Sequence, residues 1–94
     1  MPYRYEYPHP GVAADVALYR NGAGGQELLL IRRGHEPFAG RWALPGGFVN
    51  IDEDLEPAAR RELLEETGLR AGALQQLQTF GRPGRDPRER VITV

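Results

Sequence analysis

Three carboxylates in this chain stand where physics resists them. Glu62, Glu65 and Glu66 lie at i, i+3 and i+4 within the segment RRELLEE. On a helix, at about 100° per residue, Leu55, Ala58, Ala59 and Leu63 share one broad face. Glu62 and Glu66 continue that apolar stripe, and Glu65 flanks it. Like charges at these spacings cost about 0.2–0.5 kcal/mol per pair even in water. Partial burial costs more unless a cation compensates. Hard divalent cations such as Mg²⁺ take oxygen ligands of this kind, with water and substrate phosphates completing the shell. Taken alone, ELLEE also fits a solvated helix face.

The rest of the inventory narrows the chemistry by what it lacks. There is no Cys, no Ser and no Lys, and all 12 basic residues are Arg. Disulfides, thiolate metal sites, cysteine and serine nucleophiles and a phosphate-loop lysine are therefore excluded. Carboxylates, arginines, two histidines or a bound cofactor must do the work. His9 and His35 have no partner at any metal-ligand spacing and read as incidental. Arg82, Arg85, Arg88 and Arg90 cluster in one loop, and Arg32 and Arg33 end an apolar run; either group could meet phosphates, or simply face solvent.

The elements that must position these groups follow from the pattern. Asp54 suits an N-cap, Pro57 falls in the first helical turn, and Ala58 to Glu66 are strong helix formers. Gly68 suits the left-handed residue that closes a helix, with Leu69 clasping after it. Val12 to Tyr19 and Glu27 to Arg33 read as strands joined by the Gly-rich stretch RNGAGGQ, a hairpin whose loop is longer than a tight turn. Gly34 to Arg41 is loop, punctuated by Pro37 and Gly40. Trp42–Leu44 and Phe48–Val49 read as short extended pieces around Pro45-Gly46-Gly47. Ala73 to Phe80 is a candidate strand, GRPGRDPRER a basic loop, and VITV a β-branched strand. Trp42 and Phe38 read as packing residues in preference to a base-stacking platform.

From Gly47 to Leu69 the chain reads GFVNIDEDLEPAARRELLEETGL. This resembles the signature of the Nudix hydrolases, with every fixed position filled: Gly47, Glu53, Arg61, Glu62, Leu63, Glu65, Glu66, Gly68 and Leu69. The resemblance implies an α/β Nudix fold, an α/β/α sandwich around a mixed sheet, in a single domain over 1–94 with its box at 47–69. It implies that Glu62, Glu65 and Glu66 hold Mg²⁺ or Mn²⁺ against a diphosphate, and that Arg61 orients the carboxylates by pairing with Glu53. It also implies a tight loop at Gly46 and Gly47 whose backbone carbonyl, at Gly46, reaches the metal. The implied reaction is attack of water on phosphorus in a nucleoside diphosphate linked to another group. Metals lower the pKa of such a water.

The flanks PHPGVAADVALY, LLLIRRGHEPFAGRWALPGGFV and TFGRPGRDPRERVITV resemble the ADP-ribose pyrophosphatase-like branch, making ADP-ribose the first substrate to expect. Arg32, Arg82, Arg85 and Arg88 are then the candidate substrate-binding arginines. A related set of Nudix-like domains serves as ligand sensors in transcriptional repressors, so a binding module without catalysis is the second reading. Nudix domains are usually longer than 94 residues, so an inactive fragment, lacking the last third of the fold, is the third. An unpaired last strand would then want a second copy of the chain to complete the sheet. A formal charge of −1 argues against nucleic acid as a partner, and no run approaches the roughly 20 apolar residues of a membrane span. No signal-type apolar stretch stands at the N-terminus, so a cytoplasmic location is expected.

Overall fold

A computed structural model describes residues 4–34, 36 and 38–94. His35, Pro37 and the first three residues of the leader lie outside the described residues. The central sheet is mixed: β1 (Gly11–Asp15) lies between β6 (Gly46–Phe48), antiparallel to it, and β7 (Val91–Thr93), parallel to it. The helix α1 (Leu55–Thr67) packs on β6 and β1. Ala58 and Leu63 on α1 have no exposed surface, and Ala13, Ala14, Val16, Pro45 and Val91 are the other buried residues of a small core.

The ends of α1 follow the sequence closely. The Leu55 N–H donates to the Asp54 carboxylate at 2.7 Å. Gly68 takes φ 74° and returns its N–H to the Leu64 carbonyl at 2.8 Å. A side chain there would strain the left-handed backbone that closes the helix. Leu55, expected on the core face, lies at its margin and is 36% exposed.

The strands depart from expectation in instructive ways. The apolar run Val12–Tyr19 is not one strand: it leaves the central sheet after Asp15, and β2 (Tyr19–Gly22) pairs instead with β3 (Gly25–Leu28). Apolar character reports burial, not partner, so one run serves two sheets. That hairpin is tighter than expected, because Gly22 pairs with Gly25 and only Ala23 and Gly24 form the turn. The run Glu27–Arg33 likewise splits. Its end, β4 (Ile31–Arg32), pairs antiparallel with β5 (Trp42–Ala43) across the loop between them.

Ala73 to Phe80 is not a strand. Gln75, Gln76 and Gln78 leave it no continuous apolar face, and Leu77 is 83% exposed. Only Phe80 pairs, exchanging both backbone bonds with Thr93 at 2.7 and 2.9 Å. The outer edge of β7 is therefore met at Thr93 from within the chain.

Candidate active site

The site begins with a close approach of backbones. Gly46 and Gly47 are not a tight loop but the first residues of β6, opposite Asp15 and Ala14 of β1. A Cβ on Gly46 would strike Asp15 and the Ala14 carbonyl. On Gly47 it would come within 2.7 Å of the Glu62 carboxylate. Missing side chains thus let the helix lay its acids directly over the strand.

Arg61 organises the acids from behind. Its Nε and Nη2 donate to the two Glu53 oxygens at 2.7 and 2.9 Å, and Nη2 also reaches the Phe48 carbonyl at 3.1 Å. Its Nη1 donates to Glu62 at 2.8 Å and, more loosely, to Glu65 at 3.3 Å. A planar guanidinium can serve so many acceptors at once because its donors are fixed in a fork. The hydrogen bonds from Arg61, with help from the Asn50 N–H, hold the Glu53 carboxyl below its ordinary range. The same bonds to Glu53 and then Glu62 hold Arg61 all the more firmly protonated.

In front of this network lies an open cleft of about 940 Å³. Glu62 and Glu66 line it, with Asp15, Gly46, Gly47, Arg32, Arg85 and Arg88. Burial of its carboxyl pushes the Glu66 pKa up although the residue as a whole is exposed. The Gly46 N–H bond opposes that shift, whereas a hydrogen bond from the Glu66 carboxyl to Glu62 and the charges of Glu62 and Asp15 add to it. Asp15 behaves alike: burial raises it most, Arg85, Arg33 and Arg88 pull it back, and Glu62 raises it further. Anions crowded together in this way are what a cation relieves.

Two of the three expected metal carboxylates, Glu62 and Glu66, face the cleft. Glu65 is turned toward Arg61 and its side chain is 59% exposed. Among the described residues no three His, Asp or Glu side chains are grouped so as to hold a metal ion by themselves. The donors nevertheless suit Mg²⁺, which is commonly held by one or two carboxylates together with waters and substrate phosphates.

The arginines divide. Arg82 is exposed and does not line the cleft, so the expected group of four is not brought together. Arg85 donates to Thr93 Oγ1 at 2.7 Å and to the Val91 carbonyl at 3.3 Å, while its buried Nε has no partner. Arg88 grips Asp86 at 3.0 and 2.7 Å and lies 4.9 Å from the Phe48 ring centre. Arg32 donates to the Gly40 carbonyl at 3.1 Å and stacks over Trp42.

Three cleft residues are not legible as such in the sequence. Asp15 showed itself only as the single charge in an apolar strand. Trp42 and Phe38 were expected to pack, but they are 65% and 53% exposed and both line the cleft.

Comparison with known proteins agrees with this arrangement. The family model for the NUDIX domain matches residues 9–94. The chain is 43% identical over 88 residues to an ADP-ribose pyrophosphatase of Methanocaldococcus jannaschii, covering 94% of this chain and 50% of that protein. It is 41% identical over 91 residues to an ADPR responsive transcriptional repressor, NtrR, of Acinetobacter baylyi, covering 95% of this chain and 36% of the repressor. The chain thus spans half or less of the length of these two relatives. The NUDIX domain of Shewanella oneidensis NrtR, solved in complex with ADP ribose, superposes with a TM-score of 0.86 at 34% identity, covering 93% of this chain and 58% of that one. With its mixed sheet, its glycine-floored cleft and its filled signature, the chain belongs to the NUDIX domain family and has the Nudix fold.

Proposed function

We propose that this chain carries the hydrolytic site of a metal-dependent enzyme that cleaves the diphosphate of a nucleotide, with ADP-ribose as the first substrate. The observation that carries this reading is the Glu62–Glu66 pair lying over Gly46 and Gly47 in a cleft that also holds Arg85 and Arg88. Glu62 and Glu66 would hold Mg²⁺ or Mn²⁺, with the Gly46 carbonyl as a backbone ligand. The bound cation would supply charge neutralisation of the phosphate oxygens and a more acidic water.

The chain's own groups do the rest. Arg61 holds one Glu62 oxygen and thereby fixes how that carboxylate presents itself to the cleft. Glu53 locks Arg61 from the other side, so Glu53, Arg61 and Glu65 act as positioning residues. Arg85 and Arg88 supply positive charge at the cleft, which offsets the negative charge a diphosphate gathers in the transition state. No covalent intermediate is needed, which suits a chain without Ser or Cys. A diphosphate nucleotide of this class is a soluble intracellular metabolite, consistent with a cytoplasmic setting.

The relatives support the substrate class, since one is an ADP-ribose pyrophosphatase and one domain was solved with ADP ribose. The test is incubation with ADP-ribose and Mg²⁺, following release of AMP and ribose 5-phosphate. A second reading, an ADP-ribose-binding module without turnover, is favoured by the 41% identity to a transcriptional repressor over 95% of the chain. Binding of ADP-ribose with no product across a nucleotide panel would establish that reading instead.

A further inference from the structure

Trp42 is the chain's single tryptophan, and most of its surface is left open. A ring of that size forfeits much by staying in water, unless something else covers it. Its surroundings are built. Trp42 pairs with Arg32 across the β4–β5 ladder, and the Arg32 guanidinium lies 5.4 Å from the ring centre. Arg32 is pinned in turn by its bond to the Gly40 carbonyl. The loop between them is closed by bonds from the Arg33 N–H to Arg41 and from the Gly40 N–H to Arg33, at 2.9 and 2.8 Å. Within that loop Phe38 sits at φ 62°, a region bulky residues rarely adopt. Backbone held there against its preference is concentrated at ligand clamps and active sites.

Both rings face the cleft that holds Glu62 and Glu66. Gly46 follows Trp42 by four positions, at most about 14 Å of extended chain. One nucleotide can therefore span from the aromatic wall to the carboxylates. We propose that Trp42, backed by Arg32, is the platform on which the purine base of the bound nucleotide stacks, with Phe38 at its rim. The inference deepens the nucleotide reading above and rests on it. It also reassigns Arg32, whose planar group serves the indole and whose Nε is spent on Gly40, from phosphate contact to support of the base platform. A flat base recognises such a surface by its π face, and an Arg over the ring strengthens the attraction.

Because Trp42 is the only tryptophan, its emission reports the stack directly. AMP and inorganic phosphate, which differ by the adenosine, are titrated with Mg²⁺ into the full chain, with calorimetry run in parallel. AMP should quench the emission saturably and phosphate should not. Trp42→Phe should keep AMP affinity to within a few-fold, whereas Trp42→Leu should lose roughly tenfold or more. Four results overturn the proposal: no AMP binding, AMP binding with unchanged emission, equal quenching by phosphate, or wild-type affinity in Trp42→Leu. AMP bound without quenching leaves the hydrolase reading intact, while quenching without turnover of ADP-ribose removes that reading and keeps the platform.

Discussion

The Arg61 guanidinium grips Glu53 with two parallel hydrogen bonds, 2.7 Å from Nε and 2.9 Å from Nη2, while its third nitrogen holds Glu62 at 2.8 Å. One side chain therefore ties the loop before α1 to a carboxylate at the cleft. A lysine carries the same charge but cannot make that fork. Arg61→Lys should lower Mg²⁺-dependent turnover by roughly 10–100-fold, the usual cost of losing a group that orients a ligand. Circular dichroism should still show a folded chain, and a rate within twofold of wild type would contradict the positioning role.

The two glycines of β6 separate function from folding. At Gly47 the obstacle to a methyl group is the far end of the Glu62 side chain and no backbone. At Gly46 it includes the backbone of β1. Gly47→Ala should stay folded yet displace Glu62 and lose turnover and Mg²⁺ affinity. Gly46→Ala should cost about 1–3 kcal/mol of stability, as overpacking does. Melting curves beside a Mg²⁺ titration distinguish the two, and the reverse pattern would refute the assignment.

Glu66 opposes the fold that holds it. Burial and its acidic neighbours raise its pKa above the ordinary 4.5, so the folded chain binds that proton more tightly than the unfolded one. Its contribution to stability is complete below about pH 4.5 and is lost as pH rises through the raised value. Glu66→Gln should therefore melt higher than wild type at pH 7 without metal. Adding Mg²⁺ should raise the Tm of wild type and leave the variant nearly unmoved.

Asp86 shows the opposite sign. Its hydrogen bonds with Arg88 hold the carboxyl down at about 2, against an ordinary 3.8. That stabilisation is present above pH 3.8 and disappears as pH falls toward 2. The effect is small, because the Arg88 side chain is 42% exposed and water screens the pair. Asp86→Asn should be slightly less stable than wild type at pH 6, and the gap should close below about pH 4 in acid unfolding followed by fluorescence.

Leu63 holds α1 to the sheet with no exposed surface. Leu63→Ala should cost about 2–5 kcal/mol, read from chemical unfolding, because so small a core has little to refill the space.

Local chemistry made α1 legible: Asp54 and Gly68 close its ends where their types require, and the Glu spacing places two acids over β6. The box segment carried the family and the Arg61–Glu53 pair. Partner choice was not legible. Nothing in Val12–Tyr19 says that the chain changes sheets after Asp15, and hydropathy gives Ala73–Phe80 no reason to stay unpaired except its glutamines. Trp42 misled because size and apolarity normally mean burial, and only the cleft explains its exposure. Asp15 needed the strand register, which sets it against Gly46 and beneath the acids of α1.

The assignment of Glu62 and Glu66 stands or falls on one comparison: release of AMP from ADP-ribose with Mg²⁺ by the wild-type chain and by Glu66→Gln. Wild type should turn over only with the metal, and the variant should be inactive though folded and more thermostable. Product formed by Glu66→Gln at the wild-type rate would contradict the site proposed here.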